Sequence, residues 1–389
     1  MFQSKWILCI TFVALFCLLL AVPAFAAQSN AVISAGELNG FVDSEGVVII
    51  DVRAADAYGA GHIPGAVSVQ TSEFFEELAG VKQMAAGPEK FSALLSKTGV
   101  AEESQVVIYS AGNDFKHAAR LWWTFHIYGH QNAQLLDGGF DTWVAAGYDV
   151  STDPVTPAAS VYTLTAEDVN QDAVATTDEV KSALGTDTVI IDCRDENYYQ
   201  GKKYKAARSG HIAGTSLLSE SDNYNSDGTL KSAQELAEIY AAKGITADTP
   251  VITYCNTGTT ATVQYFVLTQ ILGYTNVQNY DASLTGWAAD PALPMESSYD
   301  YYAIGSTTAE VNASLVDLPV APFIEEGRAY LPADVLAQGL GAELTEILMQ
   351  DILVIADGAD CVPVRYVAET YGAEVDWDSE SKKISVYLE

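Results

Sequence analysis

Positive charge is scarce in this 389-residue chain: 19 lysines and arginines stand against 51 aspartates and glutamates, a formal net charge of −32. A surface of that sign repels phosphate backbones and anionic lipid, which argues against nucleic acid as a partner. Cysteine is scarce too. Cys9 and Cys17 lie in an apolar N-terminal run, and only Cys193, Cys255 and Cys361 follow. Three is an odd number, so a disulfide framework is excluded and at least one free thiol needs an explanation. After Ala27 no stretch is long and apolar enough to span a membrane. Histidine ends at His211, which leaves the last part of the chain without the commonest transition-metal ligand.

What is present begins with that N-terminal run. Lys5 precedes an apolar segment over residues 6–22, and Ala24-Phe25-Ala26 follows. A basic start, a greasy middle and a small-x-small end predict a signal peptide over residues 1–26, cleaved after Ala26. The mature chain is then secreted or held in the cell envelope.

An internal repeat organises the remainder. Val48-Ile49-Ile50-Asp51-Val52-Arg53 is echoed by Val189-Ile190-Ile191-Asp192-Cys193-Arg194, and Gly61-His62-Ile63-Pro64-Gly65 by Gly210-His211-Ile212-Ala213-Gly214. Val106-Val107-Ile108-Tyr109 returns as Val251-Ile252-Thr253-Tyr254, and the segment from Asp137 to Trp143 as that from Asp281 to Trp287. The step along the chain is nearly constant, from Asp51 to Asp192 as from Gly61 to Gly210. Four matched segments in one order imply duplication of a single domain.

Within each copy, short β-branched runs such as 47–51 and 106–109 read as buried strands, and 73–79, 116–128 and 234–243 read as helices. That alternation predicts an α/β fold with parallel sheets flanked by helices on both faces, where chemistry collects at the carboxyl ends of strands. The predicted domains span 30–150 and 158–292, joined by a Thr- and Pro-containing linker at 151–157. A tyrosine- and serine-rich stretch at 296–306 reads as the end of the second copy. A small α+β domain then occupies 307–389, with a helix up to Leu340, a second pass of the same scheme from Val362, and a closing hairpin over 374–388.

The chemistry concentrates at one point. Tyr254-Cys255-Asn256-Thr257-Gly258-Thr259-Thr260 follows a predicted strand and opens a helical run over 261–272. A loop in this position can curl its N–H groups toward one centre, and the helix N-terminus adds positive potential. The same field favours a thiolate, the nucleophilic form of cysteine. Gly258 supplies backbone freedom, and Thr257, Thr259 and Thr260 supply hydroxyl donors. The bland alternative is an inert buried cysteine after a core strand.

With these motifs in place, residues 30–292 resemble a tandem rhodanese, the family of thiosulfate and 3-mercaptopyruvate sulfurtransferases. The matching features are Asp-x-Arg after a strand, Gly-His-Ile-x-Gly, the Cys-x-x-Gly loop and the Asp…Trp segment closing each copy. The resemblance implies an enzyme in which the second copy carries the catalytic cysteine, Cys255, and the first is silent. At the repeat step, Ser110 is the residue that matches Cys255. The resemblance also implies sulfane-sulfur transfer through a Cys255 persulfide to cyanide, sulfite or a thiol, without cofactor or metal. Asn256, Thr257, Gly258, Thr259 and Thr260 become the substrate-binding loop, with Asp192 and Arg194 as its structural support. The loop contains no arginine, unlike the phosphate-clamping loops of related phosphatases.

One position departs from the family pattern. Tyr198 stands where a substrate-binding arginine is usual, four residues after Arg194. The basic cluster Lys202, Lys203, Lys205 and Arg208 lies nearby, and Arg208 and Lys205 are the candidates to replace that charge. The alternative is a degenerate pair acting as an envelope-associated scaffold or sulfur-sensing binding protein. Residues 362–386 resemble the copper amine oxidase N-terminal-like domain, implying envelope association rather than copper binding.

Overall fold

The computed structural model describes residues 30–112, 114–348 and 352–388. The predicted signal peptide and Asn113 lie outside the described residues. Among the described residues no helix is long and apolar enough to cross a membrane.

Each copy of the repeat builds a five-stranded parallel sheet. In the first, the order is Val32–Ile33, Ala133–Leu136, Gln105–Tyr109, Val47–Asp51, Val67–Ser68. In the second it is Val174–Ala175, Val277–Tyr280, Val251–Tyr254, Val189–Asp192, Ser216–Leu217. The first strand of each copy therefore pairs with the last. Register repeats as well: Asp51 lies opposite Tyr109, and Asp192 opposite Tyr254. Strands buried on both faces explain the nearly continuous apolar runs that made the repeat visible.

The two copies pack through equivalent parts. The helix Phe115–Ile127 of the first lies against the helix Ala261–Phe266 of the second, with Trp122 and Phe266 edge-to-face at 4.7 Å. Asp137 accepts from Leu230 N at 2.9 Å across the seam, and its repeat equivalent Asp281 accepts from Ala85 N at 2.9 Å. The interface thus has the pseudo-twofold character that duplication produces.

Two sequence expectations require correction. Residues 73–79 are not a helix. A short helix, Thr71–Phe74, gives way to a hairpin of Phe75–Leu78 and Val81–Ala85. Its tip holds Gly80 at φ 81°, a left-handed turn geometry that glycine adopts freely. Helix-favouring residues lose here because Gln83 O and Ala85 N are engaged by Arg120 and Asp281 at the domain seam, a tertiary reward that local propensity does not register.

The second correction concerns residues 296–306. They do not merely end the second copy, because Tyr299–Ala303 is the middle strand of the next domain's sheet. The C-terminal domain therefore starts near Tyr299 rather than at 307. It consists of a five-stranded and a four-stranded antiparallel sheet around the helices Ala333–Leu340 and Val364–Thr370. Leu331, Leu336, Val362 and Val367 anchor a core of its own.

Candidate active site

The loop after the strand Val251–Tyr254 has an unusual division of hydrogen bonds. Most of its carbonyls are occupied. Cys255 O accepts from Leu284 N (3.1 Å), and Asn256 O accepts from Thr285 N (3.0 Å) and Thr285 Oγ1 (2.7 Å). Thr259 O accepts from Thr262 Oγ1 (2.7 Å), and Thr260 O from Val263 N (3.1 Å). The N–H groups of Asn256, Thr257, Gly258, Thr259 and Thr260, by contrast, have no acceptor among the described residues. Buried or half-buried donors in such a run are costly without a partner, which makes the loop a receptor for negative charge. Cys255 heads it, 2% exposed, and its own N–H donates to Ser283 Oγ at 3.1 Å.

Gly258 is required by the curl. Its φ is 75°, and a Cβ there would come within 2.5 Å of Asp281 Oδ1 and 2.6 Å of Asp281 O. Asp281 is itself ion-paired with Arg120, whose Nη2 donates to Gln83 O at 3.0 Å and whose Nη1 donates to Gly258 O at 3.4 Å. One arginine from the first copy thus fastens the floor of the loop in the second.

Asp192 and Arg194 brace the other side. Arg194 Nε and Nη2 clasp the buried carboxylate at 2.8 and 2.5 Å, Nη2 also donates to Gly210 O at 2.8 Å, and Nη1 reaches Asn256 Oδ1 at 3.4 Å. Burial opposes the Arg194 charge, but Asp192 and the neighbouring Tyr254 and Cys255 outweigh it and raise its affinity for the proton. Cys193 is a free, buried thiol pushed well above its ordinary pKa, chiefly by burial and then by the charge of Cys255.

Lys116, absent from the sequence-based candidates, begins the helix that the first copy packs against this site. Burial works against its charge, yet Asp114 (ion-paired at 2.6 Å), Glu220 and Cys255 hold it above the ordinary lysine value. It is thus a cation that the first copy presents toward the Cys255 loop. Nothing in the Cys255 loop pointed to it, because it belongs to the other copy of the repeat. The detectable signal was its place shortly after Ser110, the Cys255 equivalent. Ser283 was missed too. It sits at φ 49°, where its repeat equivalent is Gly139 at φ 58°. A side chain in a slot suited to glycine marks a residue retained for its hydroxyl.

Arg208 is not a substrate residue. It is 2% exposed, and its guanidinium donates to the carbonyls of Ala288 (3.1 Å), Leu293 (3.0 Å), Asp290 (2.8 Å), Ala313 (3.4 Å) and Trp287 (3.5 Å). It clamps the second copy to the C-terminal domain and has no donor to spare. Lys205 is exposed and lies 5.8 Å from the Tyr198 ring centroid, in a cleft beyond that ring rather than on the Cys255 loop. His62 and His211 bind carbonyl groups and stack on Tyr58 and Tyr199, as expected of structural histidines.

Fold and site together define a two-copy α/β protein in which one copy carries a cysteine-headed loop, and comparison with known proteins gives its family. The rhodanese-like domain model matches residues 34–146 and 176–290. A "putative thiosulfate sulfurtransferase" of Saccharopolyspora erythraea is 32% identical over 265 residues, 66% of this chain and 92% of that protein. One so described from Haloferax volcanii is 34% identical over 257 residues, 64% of this chain and 88% of that protein. The chain belongs to the rhodanese family and is a sulfurtransferase-type enzyme. More particularly it is a tandem member extended at its C-terminus, where the copper amine oxidase N-terminal domain model matches residues 301–347 and 344–389.

Among solved structures, SseA from Escherichia coli, described among the 3-mercaptopyruvate sulfotransferases, aligns with TM-score 0.59 and 27% identity over 65% of this chain and 98% of that one. A complex of EanB with ergothioneine aligns with TM-score 0.62 at 23% identity, over 69% of this chain and 70% of that one, and shares the fold.

Proposed function

We propose that Cys255 carries sulfane sulfur as a persulfide between a small donor and a thiophilic acceptor. The observation that carries this reading is the run of five N–H groups directly after Cys255 that have no acceptor among the described residues. Such a nest favours the thiolate before transfer and the persulfide anion after it.

With thiosulfate, the Cys255 thiolate attacks the outer sulfur. The sulfur–sulfur bond of the donor breaks, sulfite leaves with the bonding pair, and a Cys255–S–S⁻ group forms. With 3-mercaptopyruvate, the carbon–sulfur bond breaks and the pyruvate enolate takes a proton. Cyanide, sulfite or a thiol then removes the outer sulfur and regenerates the thiolate, completing a ping-pong cycle. No resident cofactor enters either half-reaction. The near-complete burial of Cys255 restricts the donor to small molecules. Asn256, Thr257, Gly258, Thr259 and Thr260 stabilise the anion, while Asp192 and Arg194 hold the loop.

The test is mass spectrometry of the intact protein after thiosulfate treatment. The expected result is a gain of one sulfur atom on Cys255, discharged by cyanide and absent from Cys255→Ser. Tyr198, in the place of the usual arginine, favours the second reading, a scaffold or sensor that binds sulfur species without turnover. A persulfide that forms but no acceptor discharges would establish that second reading. The predicted leader and the third domain further support a role outside the cytoplasm and at the cell envelope, which fractionation of the native host would test.

A further inference from the structure

A cleft of about 590 Å³ opens between the second rhodanese-like domain and the C-terminal domain. Lys202, Lys203 and Lys205 line it from one side, and Lys383 lines it from the strand Lys383–Tyr387 on the other. In a chain with 19 basic residues and a net charge of −32, four lysines in one cleft are a marked local reversal of sign. None of the four is among the ion pairs of the described residues. Two carboxylates share the cleft, Asp376 and Asp378. Asp378 is turned into its own hairpin, accepting from Glu380 N at 2.9 Å and Ser381 Oγ at 2.6 Å. Lys383 feels Asp378 and Glu310 electrostatically but is positioned instead by Tyr204 OH, at 2.9 Å from its Nζ.

The walls are ordered rather than loose. Tyr301 OH donates to Gly201 O at 2.7 Å across the domain boundary, and the Tyr204 and Tyr301 rings lie 5.1 Å apart. A chain of side-chain contacts links the cleft wall to the Cys255 loop. The Tyr198 ring centroid lies 5.8 Å from Lys205 Nζ and 5.9 Å from the guanidinium carbon of Arg194, and Arg194 Nη1 contacts Asn256.

We propose that this cleft is a binding site for small sulfur oxoanions, thiosulfate or sulfite, and that the C-terminal domain supplies half of it through Lys383. Four unpaired ammonium groups suit a compact dianion, and tyrosine hydroxyls offer it further donors. In a molecule whose long-range field repels anions, such a site raises their local concentration on the second rhodanese-like domain. The delivery role rests on the reading of Cys255 given above, whereas the binding itself does not.

The experiment separates the two. The full chain carrying Cys255→Ser is titrated calorimetrically with thiosulfate and with sulfite at low ionic strength, with sodium chloride added as the screening control. Saturable binding is expected, weakened about tenfold or more by Lys202→Ala/Lys203→Ala/Lys205→Ala and about three- to fivefold by Lys383→Gln. Binding confined to thiosulfate assigns the cleft to the donor, and binding of sulfite as well assigns it to donor and leaving group alike. Isotherms unchanged in both variants, or no binding at all, overturn the site. With Cys255 intact, Lys383→Gln should raise the thiosulfate KM with kcat preserved, and Lys383→Arg should restore it. A fall in kcat at constant KM would refute the delivery role. Intact binding without any persulfide on Cys255 removes the sulfur-transfer reading alone and leaves the site standing.

Discussion

The two rhodanese-like copies share nearly every structural device and differ at the point of chemistry. Arg53 clasps Asp51 and donates to Gly61 O at 2.7 Å, as Arg194 clasps Asp192 and donates to Gly210 O at 2.8 Å. Ile63 N donates to Tyr109 OH at 3.1 Å, and Ile212 N to Tyr254 OH at 3.2 Å. Phe140 N donates to Ser110 O at 2.9 Å, and Leu284 N to Cys255 O at 3.1 Å. Beyond that bond the copies part. In the first, the Phe140 ring lies 3.8 Å from the Arg53 guanidinium carbon and occupies its face. In the second, Leu284 stands in that place and Arg194 is left to reach Asn256. The bracket is thus scaffold in both copies, and only the second couples it to a thiol loop. The first copy contributes instead through what it presents across the seam, Arg120 under Gly258 and Lys116 near Cys255.

The largest expected effect tests that asymmetry directly. Cys255→Ser should lower sulfur transfer by about three orders of magnitude or more, and adding Ser110→Cys to it should restore nothing measurable in a cyanide-acceptor assay. Recovery of activity would show that the first copy's loop is competent and merely lacks its nucleophile.

Next come the paired brackets. Arg53→Met and Arg194→Met each strand a buried carboxylate and should cost about 3–5 kcal/mol in urea unfolding. At permissive temperature only Arg194→Met should also depress kcat, because only Arg194 touches the thiol loop. Equal loss of activity in both would erase the distinction between scaffold and site.

The C-terminal domain offers a third contrast through Asp300, which burial raises from 3.8 to about 6. Its folded state holds the proton more tightly than the unfolded chain does. The associated stability is therefore full below pH 3.8 and is lost as pH rises through about 6. The change is on the order of 2–3 kcal/mol, and the raised carboxyl of Glu310 adds in the same direction. Calorimetric melting of the full chain between those pH values should show the slope, and Asp300→Asn should flatten it.

The smallest effect concerns Lys116. Removing its charge in Lys116→Ala should reduce kcat/KM about tenfold, with little change in Tm. An unchanged kcat/KM would confine Lys116 to packing.

Much of this molecule was legible from residue order. The duplication, the parallel α/β architecture and the thiol loop follow from short-range patterns: β-branched runs, a turn at Gly258, and an Asp-x-Arg whose partners are nearly adjacent. These features are local, so sequence carries them without loss. The hairpin at Phe75–Leu78 was not legible, since it is held by Arg120, distant along the chain, and by Asp281 of the other copy. The strand Tyr299–Ala303 was not either, because its partners are Thr308–Val311 and, at the far end of the chain, Lys383–Tyr387. Arg208 looked like a free cation in a basic cluster. Only burial against five carbonyls from distant segments disclosed it as a clamp.

By itself, then, the order of residues determined which sulfur heads the loop, which copy carries it, and which backbone turn surrounds it, because each depends on neighbours within a few positions. Tertiary structure alone decided which charges stand around that sulfur and where anions can gather. Coulomb interactions act through space, and Lys116, Arg120 and Lys383 reach their partners across domain boundaries that no local pattern encodes.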